Sequence, residues 1–77
     1  MSQQQPHYSM VIEWSAVDAV YVVSFPEWEA AGVRGHVHGA TYEEAVRTGK
    51  EHLAFLIESQ QVEGLPLPEP RVYASAT

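Results

Sequence analysis

Gly39-Ala40-Thr41-Tyr42-Glu43-Glu44-Ala45 is where the character of the chain changes. Thr41 and Glu44, three positions apart, make the pattern of a capping box, in which hydroxyl and carboxylate each accept an amide that the first helical turn leaves without a partner. Beyond it, Ala45, Val46, Gly49, Leu53, Leu56 and Ile57 recur at helical spacing, so the sequence predicts one helix over 42–61 with a single apolar stripe. Phe55 lies off that stripe. Gly64 stands where a helix ends on a left-handed residue, and Leu65-Pro66-Leu67-Pro68-Glu69-Pro70 is an extended connector that cannot continue it.

Toward the N-terminus the period falls to two. Val33 to His38 alternates Val33, Gly35 and Val37 against Arg34, His36 and His38. Val20 to Phe25 alternates Tyr21, Val23 and Phe25 against Val20, Val22 and Ser24, and Pro26 ends it. Tyr8 to Trp14 places Met10, Ile12 and Trp14 opposite Val11 and Glu13, with Ser15-Ala16-Val17-Asp18-Ala19 as a hairpin connection. Glu27 to Gly32 is expected to be an exposed loop. Arg71 to Ala74 is expected to form a short fourth strand.

The expected fold is therefore α+β in the order β-β-β-α-β. An antiparallel meander is followed by a right-handed crossover that sets the fourth strand parallel to the first, giving spatial order 3-2-1-4 with one helix packed on one face. Residues 1–6 read as a disordered lead-in, and 7–77 as a single domain.

Composition narrows the function. The 77 residues hold ten acids against four Lys and Arg, for a formal charge of −6 and a pI near 4.9. Arg34, Arg47, Lys50 and Arg71 are scattered, so direct nucleic-acid binding, which relies on clustered cations, is not expected. An acidic surface suits a basic protein partner, although acids kept for solubility give the same composition. Without cysteine there is neither a disulfide nor a thiolate metal site. The N-terminus carries no export pattern and no stretch is apolar enough to span a membrane, so a cytoplasmic address is expected.

Three motifs in order resemble one family. Tyr21-Val22-Val23-Ser24-Phe25-Pro26-Glu27, Gly39-Ala40-Thr41-Tyr42-Glu43-Glu44-Ala45 and Glu63-Gly64-Leu65-Pro66-Leu67-Pro68-Glu69-Pro70 are similar to the HicB-like antitoxins of type II toxin-antitoxin systems. The resemblance implies a truncated ribonuclease H-like fold and a HicA-like partner, a small basic RNA-cleaving toxin that the antitoxin occludes. Where the family commonly shows Pro-Gly-Cys, this chain has Ala31-Gly32-Val33; many relatives continue past the position of Thr77 into an operator-binding domain, and direct DNA autoregulation is not expected of these residues.

Glu27, Trp28 and Glu29 are the expected partner-binding residues, an aromatic between acids; Trp28 alternatively anchors its own sheet. His36 and His38, two apart on a strand, share a face and offer two metal ligands, but a third is required and solvent-facing polarity explains the pair as well. Strand one holds Glu13 as its only acid and the expected fourth strand holds none, so two-metal nuclease chemistry is not expected. No catalytic grouping or phosphate loop is present at credible spacing, and neither enzymatic activity nor a cofactor is expected. Phe55 and the second sheet face, with Val11, Val20 and Val22, make apolar surface that one helix cannot hide, which points to a homo-oligomer, a dimer or dimer of dimers.

Overall fold

A computed structural model describes residues 7–72. The order is β1 (Val11–Ser15), β2 (Val20–Ser24), α1 (Pro26–Ala30), β3 (His36–Gly39) and α2 (Tyr42–Val62). The three strands form one antiparallel sheet in spatial order β1-β2-β3. The α+β class and the meander agree with the sequence.

The fourth strand is not part of this sheet among the described residues. Arg71 and Val72 carry no strand structure, and Tyr73 and Ala74 lie outside the described residues, as does the 1–6 lead-in. The backbone explains the difference at Arg71: its amide donates to the Glu27 carboxylate at 2.9 Å rather than to a neighbouring strand. The same carboxylate takes the amide of Ser9, and the sheet begins at Val11, three residues after the expected start.

The expected loop after Pro26 is instead the short helix α1. Pro26 sits at its start with Glu27 and Glu29 in the first turn, a favourable composition for a helix N-terminus. Val33 returns its amide to the Trp28 carbonyl at 2.8 Å, which removes it from the ladder and delays β3 to His36.

Helix α2 is built as its ends predict. The Thr41 hydroxyl accepts the Glu44 amide at 3.1 Å, and the Glu44 carboxylate reaches back to the Ala40 amide at 3.0 Å. At the other end Leu65 N–H bonds to Gln60 O and Gly64 N–H to Gln61 O, a Schellman motif with Gly64 at φ 71°.

Pairing register sorts the sheet into two faces. Ile12, Val23 and Val37 form one cross-strand row, and Trp14, Tyr21 and Gly39 the next; these face α2. On the other face Val11, Ser24 and His36 align, then Glu13, Val22 and His38. Among the described residues the buried apolar side chains of the core are Val23, Phe25, Trp28 and Ala45, with partly buried residues such as Met10, Leu53, Leu56 and Ile57 packed around them.

Two glycines set the approach of α2 to the sheet. A Cβ on Gly39 would lie 2.4 Å from the Ala45 amide nitrogen and 2.8 Å from its Cα, both backbone atoms that cannot move aside. At Gly49 the obstacles are the Met10 sulfur at 2.8 Å and a Val23 methyl at 3.1 Å. Gly39→Ala should therefore destabilise by about 3 kcal/mol, at the upper end of overpacking costs. Gly49→Ala should cost less, because the mobile Met10 side chain can yield and alanine gains about 1 kcal/mol of helix propensity. Urea unfolding of both variants against the parent measures the difference; equal losses would contradict this assignment.

Candidate functional site

The segment expected to meet a partner is largely inside the molecule. Glu27 is 3% exposed and Trp28 1%, while Glu29 is exposed. Of the two alternatives for Trp28, the anchor within its own domain is the one the geometry supports. Its ring meets Tyr8 at 5.3 Å between centroids and a 57° tilt, and its indole N–H is buried without an acceptor among the described residues.

Glu27 holds three parts of the chain together. Its carboxylate accepts the Ser9 amide at 3.1 Å, the Ser9 hydroxyl at 2.9 Å and the Arg71 amide at 2.9 Å, joining the segment before β1, the start of α1 and the tail after α2. Beside it, the Tyr8 hydroxyl donates to the Pro68 carbonyl. Burial pushes the Glu27 carboxyl up, but bonds from the Arg71 and Ser9 amides, its own amide and the Ser9 hydroxyl outweigh it and hold the group below its ordinary value. Burial, with the Glu27 charge second, raises the Tyr8 hydroxyl.

Outside this knot, the exposed apolar side chains fall in separate places: Phe55, Val62 and Leu65 along and just beyond the second half of α2, and Trp14, Val17 and Tyr42 at the hairpin end of the sheet. Trp14 and Tyr21 meet edge to face at 5.0 Å, and Tyr21 meets Tyr42 of α2 at 5.7 Å. Trp14 is 54% exposed and Tyr42 55%, and Val17 projects from the adjoining turn. Asp18 on that turn and Glu43 in the first turn of α2 supply exposed acids nearby in the chain. In the sequence Trp14 and Tyr42 belong to a strand and a helix with nothing local to mark them as surface; their cross-strand and helix-start positions become neighbours only once the register is known.

The opposite sheet face carries Val11, Val20 and Val22 with Glu13, His36 and His38. The two imidazoles stand 5.9 Å apart, and the described residues contain no group of three His, Asp or Glu placed to hold a metal. A shallow hollow beside β3 is lined by Glu29, Arg34, Gly35 and His36, and another by Ser9, Val11, Pro26, Arg71 and Val72. Among the described residues no helix is long and apolar enough to cross a membrane.

Comparison with protein-family models, curated proteins and solved structures finds no match to this chain.

The Glu27 knot has a measurable pH signature. Because the folded carboxyl lies below the unfolded value of about 4.3, its contribution is fully present above that value and is lost as pH falls through the folded one. Glu27→Gln should lower stability at pH 7 by about 2–3 kcal/mol, since charge-assisted bonds are lost and amide donors face an amide. Its stability should also fall less steeply than the parent's between pH 5 and pH 3, which denaturant titrations across that range would resolve.

Proposed function

We propose that this chain is a binding domain of the HicB-like antitoxin type, acting in the cytoplasm by holding and neutralising a small basic RNA-cleaving protein, with no catalysis of its own. The observation that carries the reading is the pair of exposed aromatics Trp14 and Tyr42 on either side of half-buried Tyr21, accompanied by Val17, Asp18 and Glu43, on a chain of net charge −6. Aromatic faces attract Arg and Lys, a rim of acids steers a basic partner, and desolvated Trp and Tyr are the side chains on which protein interfaces most depend. Glu29, exposed at the end of α1, would add to the acidic field.

The motifs that resemble the family also have structural roles consistent with it. Phe25-Pro26-Glu27 ends β2 and supplies the Glu27 knot, Thr41 and Glu44 cap α2, and the proline-rich tail lies against Tyr8 through Pro68. The hollow shared by Ser9, Val11, Arg71 and Val72 puts the tail beside the β1 side of the sheet. A parallel fourth strand on β1, completing order 3-2-1-4, is the continuation we favour. The competing reading is an orphan regulatory or structural domain without a toxin; an adjacent reading frame for a small basic protein would separate the two.

Self-association is the second part of the proposal. Val11 is exposed, Val20 and Val22 are only partly covered, and the four buried apolar side chains among the described residues make a small core. Light scattering at micromolar concentration should give a dimer or a dimer of dimers, and a monodisperse monomer would remove this part.

Co-expression with a small basic ribonuclease encoded beside the chain should relieve the growth arrest that the ribonuclease causes. In surface-binding kinetics, Trp14→Ala should speed dissociation about 30-fold, corresponding to about 2 kcal/mol, whereas Asp18→Lys with Glu43→Lys should mainly slow association and weaken its salt dependence. Unchanged rates in both folded variants would move recognition away from the aromatic row.

A further inference from the structure

The strand β3 is an edge of the sheet, and its sequence His36-Val37-His38-Gly39 puts two imidazoles on the face that α2 does not cover. Both residues are exposed, and their ring centroids are 5.9 Å apart. Two imidazoles on one tetrahedral zinc, with bonds of about 2.0–2.1 Å, have centroids roughly 5 Å apart. Small side-chain rotations therefore bring this pair to a chelating geometry.

Among the described residues of one chain the pair is incomplete. Glu13 shares the row of His38 but lies two strands away with Val22 between them, roughly 10 Å at ordinary strand spacing. Glu29 and Arg34 border the hollow next to His36, one favouring a cation and the other opposing it. His52 packs between Phe25 and Phe55 on α2, across the sheet. No third ligand reaches the pair from these positions.

A second copy supplies what is missing. If β3 pairs antiparallel with β3 of another molecule about a twofold axis at Val37, His36 falls opposite the second His38 and His38 opposite the second His36. Cross-strand partners have Cβ atoms about 5 Å apart, and residues two apart along a strand are about 6.7 Å apart. Four imidazoles then stand at the corners of a small rectangle on one face, which suits a borderline divalent ion that prefers nitrogen ligands. The ion also offsets the repulsion between two chains that each carry −6.

We propose that His36 and His38 form half of an intermolecular zinc site that clamps two copies of this chain along β3. The proposal deepens the self-association reading and is separable from it.

Chelator-treated full-length protein, titrated with zinc and followed by sedimentation velocity and isothermal calorimetry, provides the test. The expected result is saturation at one zinc per two chains together with a shift toward a species of twice the mass, or, where a metal-free dimer already exists, a dimer more resistant to dilution. Cobalt in place of zinc should give the intense visible absorption of a tetrahedral ion. His36→Gln and His38→Gln should each weaken zinc binding by more than about tenfold, since loss of even an outer-shell partner commonly costs that much, while His52→Gln leaves it unchanged. Binding of one zinc per monomer, or zinc-linked dimers that persist when both His36 and His38 are replaced, would overturn the site. A dimer indifferent to zinc would overturn it too, while leaving self-association intact.

Discussion

The Glu27 carboxylate is the constraint on which the arrangement of the chain depends. It is buried with no cation among its hydrogen-bonding partners, so its charge is held by the Ser9 amide, the Ser9 hydroxyl and the Arg71 amide. An ionised carboxylate taken out of water is costly unless such donors converge on it, and when they do each bond is stronger than a neutral one. The geometry is demanding because the donors come from positions 18 residues before and 44 residues after the acceptor. Both the approach to β1 and the tail beyond α2 are consequently fixed to the same short helix, with Trp28 and Tyr8 filling the space beneath.

This one residue also explains where the sequence is readable and where it is not. Helix α2 was legible to within a residue because its signals are local: Thr41 and Glu44 at one end, Gly64 at the other, and a 3.6-residue stripe between. The pairing of Tyr21, Val23 and Val37 on the helix face and Val11, Val20 and Val22 on the other followed from alternation alone. Pro26-Glu27-Trp28-Glu29, by contrast, looked like polar punctuation after a strand. Its composition of proline followed by acids also starts a helix, but nothing local indicates that one acid will be claimed from both ends of the chain. The displaced start of β1 and the missing ladder at Arg71 are consequences of that long-range contact.

The candidate surface was less legible than the fold for a related reason. Trp28 stood out in sequence because it lies between two acids, yet its long-range packing with Tyr8 withdraws it from solvent. Trp14 and Tyr42 were unremarkable in sequence because 28 positions separate them, and only the β1–β2 register and the helix start bring them to either side of Tyr21. An aromatic flanked by charge in sequence is thus no guide to exposure here, since Trp28 is buried while Trp14 and Tyr42 are exposed.

The position of that row follows from Gly39. In the row Trp14, Tyr21, Gly39, the third strand contributes no side chain, and the Ala45 backbone comes close enough to exclude even a methyl group. The start of α2 is thereby drawn down onto the end of the sheet, and the Tyr42 ring meets Tyr21 edge to face. The helix then runs from that end, burying Ala45 and Gly49 along its sheet-facing side and leaving Trp14 half uncovered. A bulky residue at position 39 would lift the helix start and break the contact between Tyr21 and Tyr42. The close packing that stabilises the fold and the aromatic row proposed for partner binding are therefore one geometric feature, seen from its inner and outer sides.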